Sequence, residues 1–367
     1  MSRIPQLELL RVLAMGGIFL FHLWTEIPLN SDSRLVGLWL ERLRLMGALG
    51  VIIFNCITGF VLSLPYLGHP HPRPFPGGLD FFRSRFGRIC QHYYPTLVLW
   101  SIPWLVFTSH EQGVHFLLLA FISHIIFLHT LHISTFFAIV PAFWWLGLLA
   151  QFYLVYPWLL WLFGRVGHGR ACIITCLIPW LAWIALTRLA SRFPGSTLAT
   201  VHYMIYFNLP VRLPEFVLGM WLASAWNRGV PLLRSQSRET APPSRLTVVG
   251  PLLVGLMLFL LLERALLQWL VPPFEHIYLV FWGLCSILVV LRWSLAVRLG
   301  NAPLLLDLAA ASYGIYLLHQ PLLGYANQWL DDILSPAARF MTLLIGVGLV
   351  CYKAAVGLNI LVYRMWR

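Results

Sequence analysis

The chain has 367 residues, of which 59% are apolar and only 10% are charged, and its mean hydropathy is +0.78. This composition excludes an ordinary soluble protein, in which charged residues make up about a quarter of the chain. The net charge of +12 does not indicate nucleic-acid binding, because the arginines lie in short clusters between apolar runs rather than along one solvated face. The sequence therefore predicts an integral membrane protein with no nucleic-acid partner.

Eleven apolar runs are candidates for membrane helices, since a helix needs about 20 apolar residues to cross the hydrocarbon core. In chain order they are 7–24, 47–66, 94–110, 115–131, 142–163, 171–189, 204–226, 246–270, 276–291, 302–323 and 340–363. No small-residue cleavage site follows the first run, so it is interpreted as a retained span rather than as a signal peptide.

Arginine-rich connections indicate which ends of these runs face the cytoplasm. Five segments carry an excess of arginine: 67–93, 164–170, 227–245, 292–298 and the tail at 364–367. They cannot all be cytoplasmic if every run crosses the bilayer. The conflict disappears if the run 115–131 does not cross, and this run is short and contains His115, His124 and His129.

With that run placed at the interface or as a re-entrant loop, the sequence predicts an all-α integral membrane protein. It has about ten transmembrane helices plus one short re-entrant or interfacial segment. Residues 1–367 are expected to form a single polytopic domain in the cell (inner) membrane, with both termini and the linker 227–245 in the cytoplasm. The six cysteines lack metal-site or disulfide spacing and are expected to be free thiols.

Two ionisable side chains lie in the first run, where such groups are costly and are candidates for function. Arg11 and His22 are eleven residues apart, which is about 16 Å along a helix. Arg11 is expected towards the cytoplasm and His22 in the outer half. Arg11 could instead be an interfacial anchor and His22 a packing residue. Glu26 lies one turn beyond His22, where it could orient the imidazole ring.

A second cluster of charge precedes the third run. Arg85 and Arg88 are three residues apart and therefore share one face of a helix. Guanidinium groups on one face can bind phosphate bidentately. An equally good interpretation is an arginine cluster that only fixes the orientation of the helix in the membrane.

Polar residues also occur in two later runs. Arg212 and Glu215 are three residues apart in the proline-kinked run 204–226, which favours a structural ion pair over catalysis. His319 lies towards the outer end of the run 302–323, where packing against another helix and binding of an acceptor are equally good interpretations.

Five motifs occur in a fixed order along the chain. They are the segment from Glu8 through Arg11 to His22, the run from Gly50 to Ser63, Arg85-Phe86-Gly87-Arg88, the stretch from Trp144 to Pro157, and the segment from Ser312 to His319. Together they resemble the signatures of the acyltransferase 3 family of membrane acyltransferases. The resemblance extends from residue 8 to residue 319, which is nearly the whole chain.

The resemblance implies that an acyl group, usually acetyl, moves from cytoplasmic acyl-CoA to a hydroxyl of an outward-facing or lipid-linked glycan. In that scheme Arg85 and Arg88, with Arg11 nearby, bind the phosphates of the coenzyme. His22 is the expected catalytic residue, as a general base or as a covalent acyl carrier, with Arg11 and Glu26 beside it. Acyl-CoA is thus a donor substrate, and no metal is expected.

Four other residues are candidates for the site: Tyr153, Glu215, Tyr313 and His319. A transporter or flippase is the main alternative, although inverted repeats with matched broken helices are not visible. A purely structural subunit would explain the spans but not the placement of histidine and arginine. The lipid bilayer and a glycan or lipid-linked acceptor are the expected partners, and the oligomeric state stays open.

Overall fold

The structure is a computed structural model that describes residues 3–27, 34–75, 78–108, 112–230, 233 and 273–365. Regular structure in these ranges is helical, without a strand, so the prediction of an all-α protein is confirmed. The predicted run 246–270 and most of the linker 227–245 lie outside the described residues.

Fourteen α-helices occur in the described ranges. They are α1 (Pro5–Glu26), α2 (Arg34–Ser63), α3 (Gly78–Thr108), α4 (Val114–Ile125), α5 (Ile133–Phe136), α6 (Trp144–Val166), α7 (His168–Ala190), α8 (Thr197–Phe207), α9 (Leu209–Asn227), α10 (Pro273–Arg292), α11 (Ser294–Gly300), α12 (Pro303–Leu330), α13 (Pro336–Thr342) and α14 (Gly348–Met365). A π-helical turn at Leu343–Val347 joins α13 to α14, so that these form one continuous rod.

Five helical stretches of the described chain are long and apolar enough to cross a membrane: Pro5–Glu26, Met46–Ser63, Pro141–Val166, His168–Ala190 and Pro336–Arg364. The helices α3 and α12 are longer than most of these, at 31 and 28 residues, but they are less apolar. The protein is therefore a multi-pass membrane protein. The total of about ten spans stays a prediction.

The predicted run 115–131 does not form one long helix. The helix α4 has only 12 residues, or about 18 Å, which is shorter than the hydrocarbon core. It ends at Ile125, and the chain then turns through Phe127, which has a positive φ of 60°. Short 3₁₀ turns at His129–Leu131 and Pro141–Phe143 lead into α6. Whether this segment is re-entrant stays a prediction.

The predicted run 204–226 is divided into two helices, α8 and α9. Asn208 between them is extended, with φ −105° and ψ 175°. Its side-chain amide donates hydrogen bonds to the carbonyls of Thr130 and Met204, both at 2.9 Å. The proline kink expected in this run is thus a break, because Pro210 supplies no N–H at the start of α9.

The helices α1, α3 and α12 run in the same direction and enclose the region that is described below. Pro5 in α1 lies against Gly300, just before α12, and His22 in α1 lies against His319 in α12. The helices α1 and α12 therefore run parallel. The helix α3 also runs parallel to α12, because Tyr313 contacts Ile89 and Leu317 contacts Trp100.

The helices α2, α6 and α9 run in the opposite direction. α2 is antiparallel to α1, since Gly47 faces Phe21 and Gly50 faces Ala14. A Cβ at Gly219 of α9 would lie 1.9 Å from the carbonyl oxygen of Cys56 in α2, so only glycine permits this close approach of the two backbones. These directions agree with the alternation used to predict the topology.

Candidate active site

A pair of histidines joins α1 to α12. His22 Nδ1 lies 3.0 Å from His319 Nε2, and the two ring centroids are 4.8 Å apart with an interplanar angle of 64°. Each Nδ1 also meets a carbonyl of its own helix, that of Ile18 at 3.0 Å and that of Tyr316 at 2.8 Å. His319 is fully buried, whereas His22 is partly exposed. Of the two residues, only His22 is therefore accessible to a second molecule.

Aromatic side chains hold this pair in place. Phe21 packs edge-on against the ring of His22 at 5.0 Å, and Phe19 lies 6.1 Å from the ring of His319. Tyr316 lies one turn before His319, and its hydroxyl donates a hydrogen bond to the carbonyl of Ala142. The segment before α6 is therefore tied to the helix that carries His319.

Glu26 lies beyond the histidines at the end of α1. Its backbone carbonyl accepts a hydrogen bond from the side chain of Asn327 at 3.2 Å, and its carboxylate lies close to Gly324 of α12. The hydrogen bonds of His22 in the described structure involve Ile18 and His319 rather than Glu26. The orienting role of Glu26 stays a prediction.

Arg85 and Arg88 of α3 have no acidic partner in the described part of the chain. Arg85 is half-buried and its Nε has no hydrogen-bond partner, while its guanidinium lies 5.8 Å from the ring centroid of Phe81. Arg88 is exposed. Both arginines lie within electrostatic range of Tyr153 in α6. These two guanidinium groups are available to an anion.

Arg11, the other predicted phosphate ligand, is already paired. Its Nη1 lies 2.8 Å from Glu8 Oε2, and the other oxygen of Glu8 lies 3.6 Å from Arg3 Nε. An arginine in such an ion pair is less free to bind a phosphate than Arg85 or Arg88. Its role in binding the coenzyme stays a prediction.

The hydrogen bond of Tyr313 shows how far the arginines lie from the histidines along the helix axis. Its hydroxyl donates a hydrogen bond to the carbonyl of Ile89 at 3.3 Å, one residue after Arg88. Because α3 and α12 are parallel, a rise of about 1.5 Å per residue separates Arg85 from His319 by about 15 Å when counted from the Tyr313–Ile89 contact and by about 25 Å when counted from the Trp100–Leu317 contact. Arg11 precedes His22 by a similar distance on α1.

Glu215 belongs to a separate, fully buried cluster between α2, α9 and α10. One carboxylate oxygen lies 3.0 Å from Arg212 Nη1 and 3.4 Å from His276 Nε2, and the other accepts a hydrogen bond of 2.5 Å from Asn55. Arg212 also donates from Nε to the carbonyl of Tyr206 at 2.9 Å. This arrangement is that of a compensated buried ion pair, as the structural interpretation of the sequence anticipates.

Several residues of this region were not singled out by the sequence analysis. Asn55 accepts a hydrogen bond of 2.8 Å from Trp145 Nε1, and the Trp145 ring packs edge-on against Tyr316 at 5.2 Å. Gln320 accepts a hydrogen bond of 2.6 Å from the backbone N–H of Ala142. The signal that could have found Asn55 is its isolation as an amide in an apolar run.

The described residues contain no group of three or more His, Cys, Asp or Glu side chains that could hold a metal ion. The closest approach to such a group is the stacked pair of His124 and His129, whose ring centroids are 4.1 Å apart. Both rings are fully buried, and each meets a backbone carbonyl, those of Ala120 and Phe143. Two histidines without a further ligand do not make a metal site.

Comparison with curated proteins and with solved structures gave no significant match. The family model described as an acyltransferase domain matches residues 4–356, which include every candidate residue discussed above. The match is to a family of acyl-transfer proteins, as the order of the five motifs predicts. The chain therefore belongs to the acyltransferase 3 family.

Proposed function

We propose that the protein transfers an acyl group, most simply acetyl, from acyl-CoA to a hydroxyl of an extracytoplasmic or lipid-linked glycan. The acceptor oxygen attacks the thioester carbonyl, its proton passes to the imidazole of His22, and the carbon–sulfur bond breaks. The proton then passes to the departing thiolate. A positioned general base contributes typically about 10²–10⁴-fold to such a step.

The observation that carries this proposal is the presence, on the parallel helices α3 and α1, of two guanidinium groups without an acidic partner among the described residues and of a partly exposed histidine. Arg85 and Arg88 offer charge for the phosphates of the coenzyme. The axial distance from Arg85 to the histidine pair, roughly 15 to 25 Å, leaves room for the extended arm that carries the thioester. His22 would then meet the thioester end of the donor.

Two chemical routes fit this layout. In the first, His22 removes the proton of the acceptor while the hydroxyl attacks acyl-CoA directly. In the second, His22 attacks the thioester and carries the acyl group as a covalent intermediate. Accumulation of free coenzyme A in the absence of an acceptor, in an amount equal to that of the enzyme, distinguishes the second route from the first.

We further propose that the protein lies in the inner membrane with both termini in the cytoplasm. This places Arg11, Arg85 and Arg88 towards the cytoplasmic pool of acyl-CoA, and His22 towards the outer face where the acceptor arrives. Labelling of single cysteines, introduced into a cysteine-free variant, tests the orientation. Labelling of a cysteine in the segment 227–245 from outside the cell would contradict it.

The test of the reaction uses purified protein in lipid vesicles with acetyl-CoA and glycan acceptors, with thiol release as the measured quantity. His22→Gln should lower the rate by about 10²-fold or more and leave the binding of coenzyme A unchanged. His202→Gln is a matched control, because His202 is stacked on Trp183 in α7 and hydrogen-bonds to Thr187 at 2.9 Å. That variant should remain active.

Turnover by His22→Gln at a rate close to that of the wild type would remove His22 from the mechanism. Movement of a labelled glycan lipid across the vesicle membrane, without acylation, would instead favour the flippase alternative. The two experiments are independent of each other, because the first measures thiol release and the second measures the side of the membrane on which the label is found.

A further inference from the structure

We propose that His319 is a positioning residue that fixes the tautomer of His22, so that Nε2 of His22 is the atom that receives the proton. This inference rests on the proposed function for its chemical meaning, but its geometric basis is independent of the substrate. The two rings are directly hydrogen-bonded, and each is also bonded to a carbonyl that can only accept.

The tautomer of His319 is fixed by a backbone carbonyl of its own helix. Its Nδ1 lies 2.8 Å from the carbonyl oxygen of Tyr316, and a carbonyl accepts but does not donate a hydrogen bond. The proton of the neutral ring therefore resides on Nδ1. The other nitrogen, Nε2, then carries a lone pair, and this nitrogen faces His22.

The protonation of His22 follows from its two neighbours. Its Nδ1 lies 3.0 Å from the carbonyl oxygen of Ile18 and 3.0 Å from the lone pair of His319 Nε2. Both neighbours are acceptors, so Nδ1 must carry the proton that they share. The remaining nitrogen of His22, Nε2, is then left with its lone pair and no proton.

Both rings are neutral in this scheme, for an electrostatic reason. Among the described residues, no carboxylate forms a hydrogen bond or an ion pair with either ring. A buried imidazolium without an opposite charge is strongly disfavoured in apolar surroundings. One proton for each ring satisfies all of the hydrogen bonds that the two rings make in the described structure.

The pair also has a consequence for the reaction. When the acceptor hydroxyl gives its proton to His22 Nε2, the ring becomes an imidazolium that still donates from Nδ1. His319 Nε2 and the Ile18 carbonyl both accept from it and stabilise the positive charge until the proton passes to the thiolate. His319 thus acts through His22 without touching the substrate.

The test compares two substitutions at His319 in the full-length protein in lipid vesicles. His319→Gln keeps an oxygen that can accept from His22, whereas His319→Leu keeps volume but offers no acceptor. His319→Leu should lower kcat roughly 10-fold to 100-fold, by analogy with the loss of a group that orients a metal-bound histidine, with KM for acetyl-CoA unchanged. His319→Gln should recover most of that loss. His202→Leu is the matched control and should retain its activity.

The tautomer itself can be observed by solid-state NMR of protein labelled with ¹³C and ¹⁵N in histidine. The signals absent from the spectrum of His22→Gln identify His22. The proposal expects the form protonated at Nδ1 in the wild type and in His319→Gln, and a mixture of forms in His319→Leu. A wild-type His22 protonated at Nε2, or full activity in His319→Leu, would overturn it.

Failure of the proposed function gives a different result. If the wild type releases no thiol from acetyl-CoA with any acceptor, the acyl-transfer proposal fails. The NMR spectrum of the same preparation still decides the tautomer. Binding of coenzyme A to each variant shows whether it is folded, so that a rate lost through misfolding is not counted as support.

Discussion

The His22–His319 pair and the Glu215 cluster show two ways in which ionisable side chains are accommodated between apolar helices. In the Glu215 cluster, the carboxylate meets Arg212, Asn55 and His276, so both of its oxygens are occupied. In the histidine pair, His319 is fully buried and His22 is partly exposed. A carboxylate whose two oxygens are both occupied stabilises the fold. A histidine pair with one partly exposed member leaves a ring nitrogen for a substrate.

The two regions are connected. Trp145 donates to Asn55, which in turn donates to Glu215, and the ring of Trp145 packs against Tyr316. The carbonyl of Tyr316 accepts from His319. The ion pair is therefore connected, through Asn55 and Trp145, to the helix that carries His319. Substitutions in the two regions should separate stability from activity.

The largest effect on stability is expected from Glu215→Leu, which leaves the buried guanidinium of Arg212 without its counter-charge. Loss of one partner of a buried pair costs about 3–5 kcal/mol. Unfolding of the purified protein by a denaturing detergent measures this loss. The double variant Arg212→Met with Glu215→Leu should recover most of it, because no uncompensated charge remains. A double variant as unstable as Glu215→Leu would contradict the assignment of a structural ion pair.

A smaller effect is expected on donor binding. Arg85→Ala and Arg88→Ala should each weaken the affinity for coenzyme A by about 1.5–3 kcal/mol, the range for a hydrogen bond to a charged group. Titration calorimetry with the protein in lipid nanodiscs measures the change. Arg170→Ala is a matched control, since Arg170 is exposed near the start of α7. Unchanged affinity in both variants would mean that the two arginines only fix the orientation of the helix in the membrane.

The connection between the two regions can be tested through Trp145→Phe, which removes one buried donor and leaves Asn55 Oδ1 without this partner. The expected loss of stability is about 1–3 kcal/mol, together with a modest loss of activity through Tyr316. Trp158→Phe is the control, because Trp158 is 54% exposed. If Trp145→Phe changes stability but not the acylation rate, the two regions are energetically separate.

The smallest effect is expected from Tyr153→Phe, which removes a hydroxyl close to Arg85 and Arg88 but leaves the ring in place. If that hydroxyl helps to hold a phosphate, the coenzyme affinity should fall by about 0.5–1.5 kcal/mol, the range for an ordinary hydrogen bond. The same calorimetric measurement applies. An unchanged affinity would limit Tyr153 to packing against Phe81 and Phe86.

Local features of the sequence predicted the helical class, whereas the roles of the individual candidate residues stay predictions. The position of His22 on α1, and the shared face of Arg85 and Arg88 on α3, follow from helical spacing alone. The contact between His22 and His319 could not be predicted in this way, because it depends on how two distant helices pack. For the same reason Asn55 and His276 were missed as partners of Glu215.

The boundaries of irregular segments were the least predictable part of the fold. The run 204–226 looks continuous in hydropathy, yet it breaks at Asn208, whose amide is bonded to the carbonyl of Thr130. The run 115–131 likewise looks continuous, yet α4 ends at Ile125. Both breaks are stabilised by contacts with other segments, and hydropathy along one segment does not report such contacts.

The parallel register of α1 and α12 also affects the biosynthesis of the protein. His22 and His319 are 297 residues apart, so a ribosome needs roughly 15 to 60 seconds to synthesise the second after the first. During that time α1 is already in the membrane, but its imidazole has no partner. An incompletely synthesised chain therefore lacks the hydrogen bond between the two histidines, and the tautomer of His22 is fixed only after α12 has been synthesised.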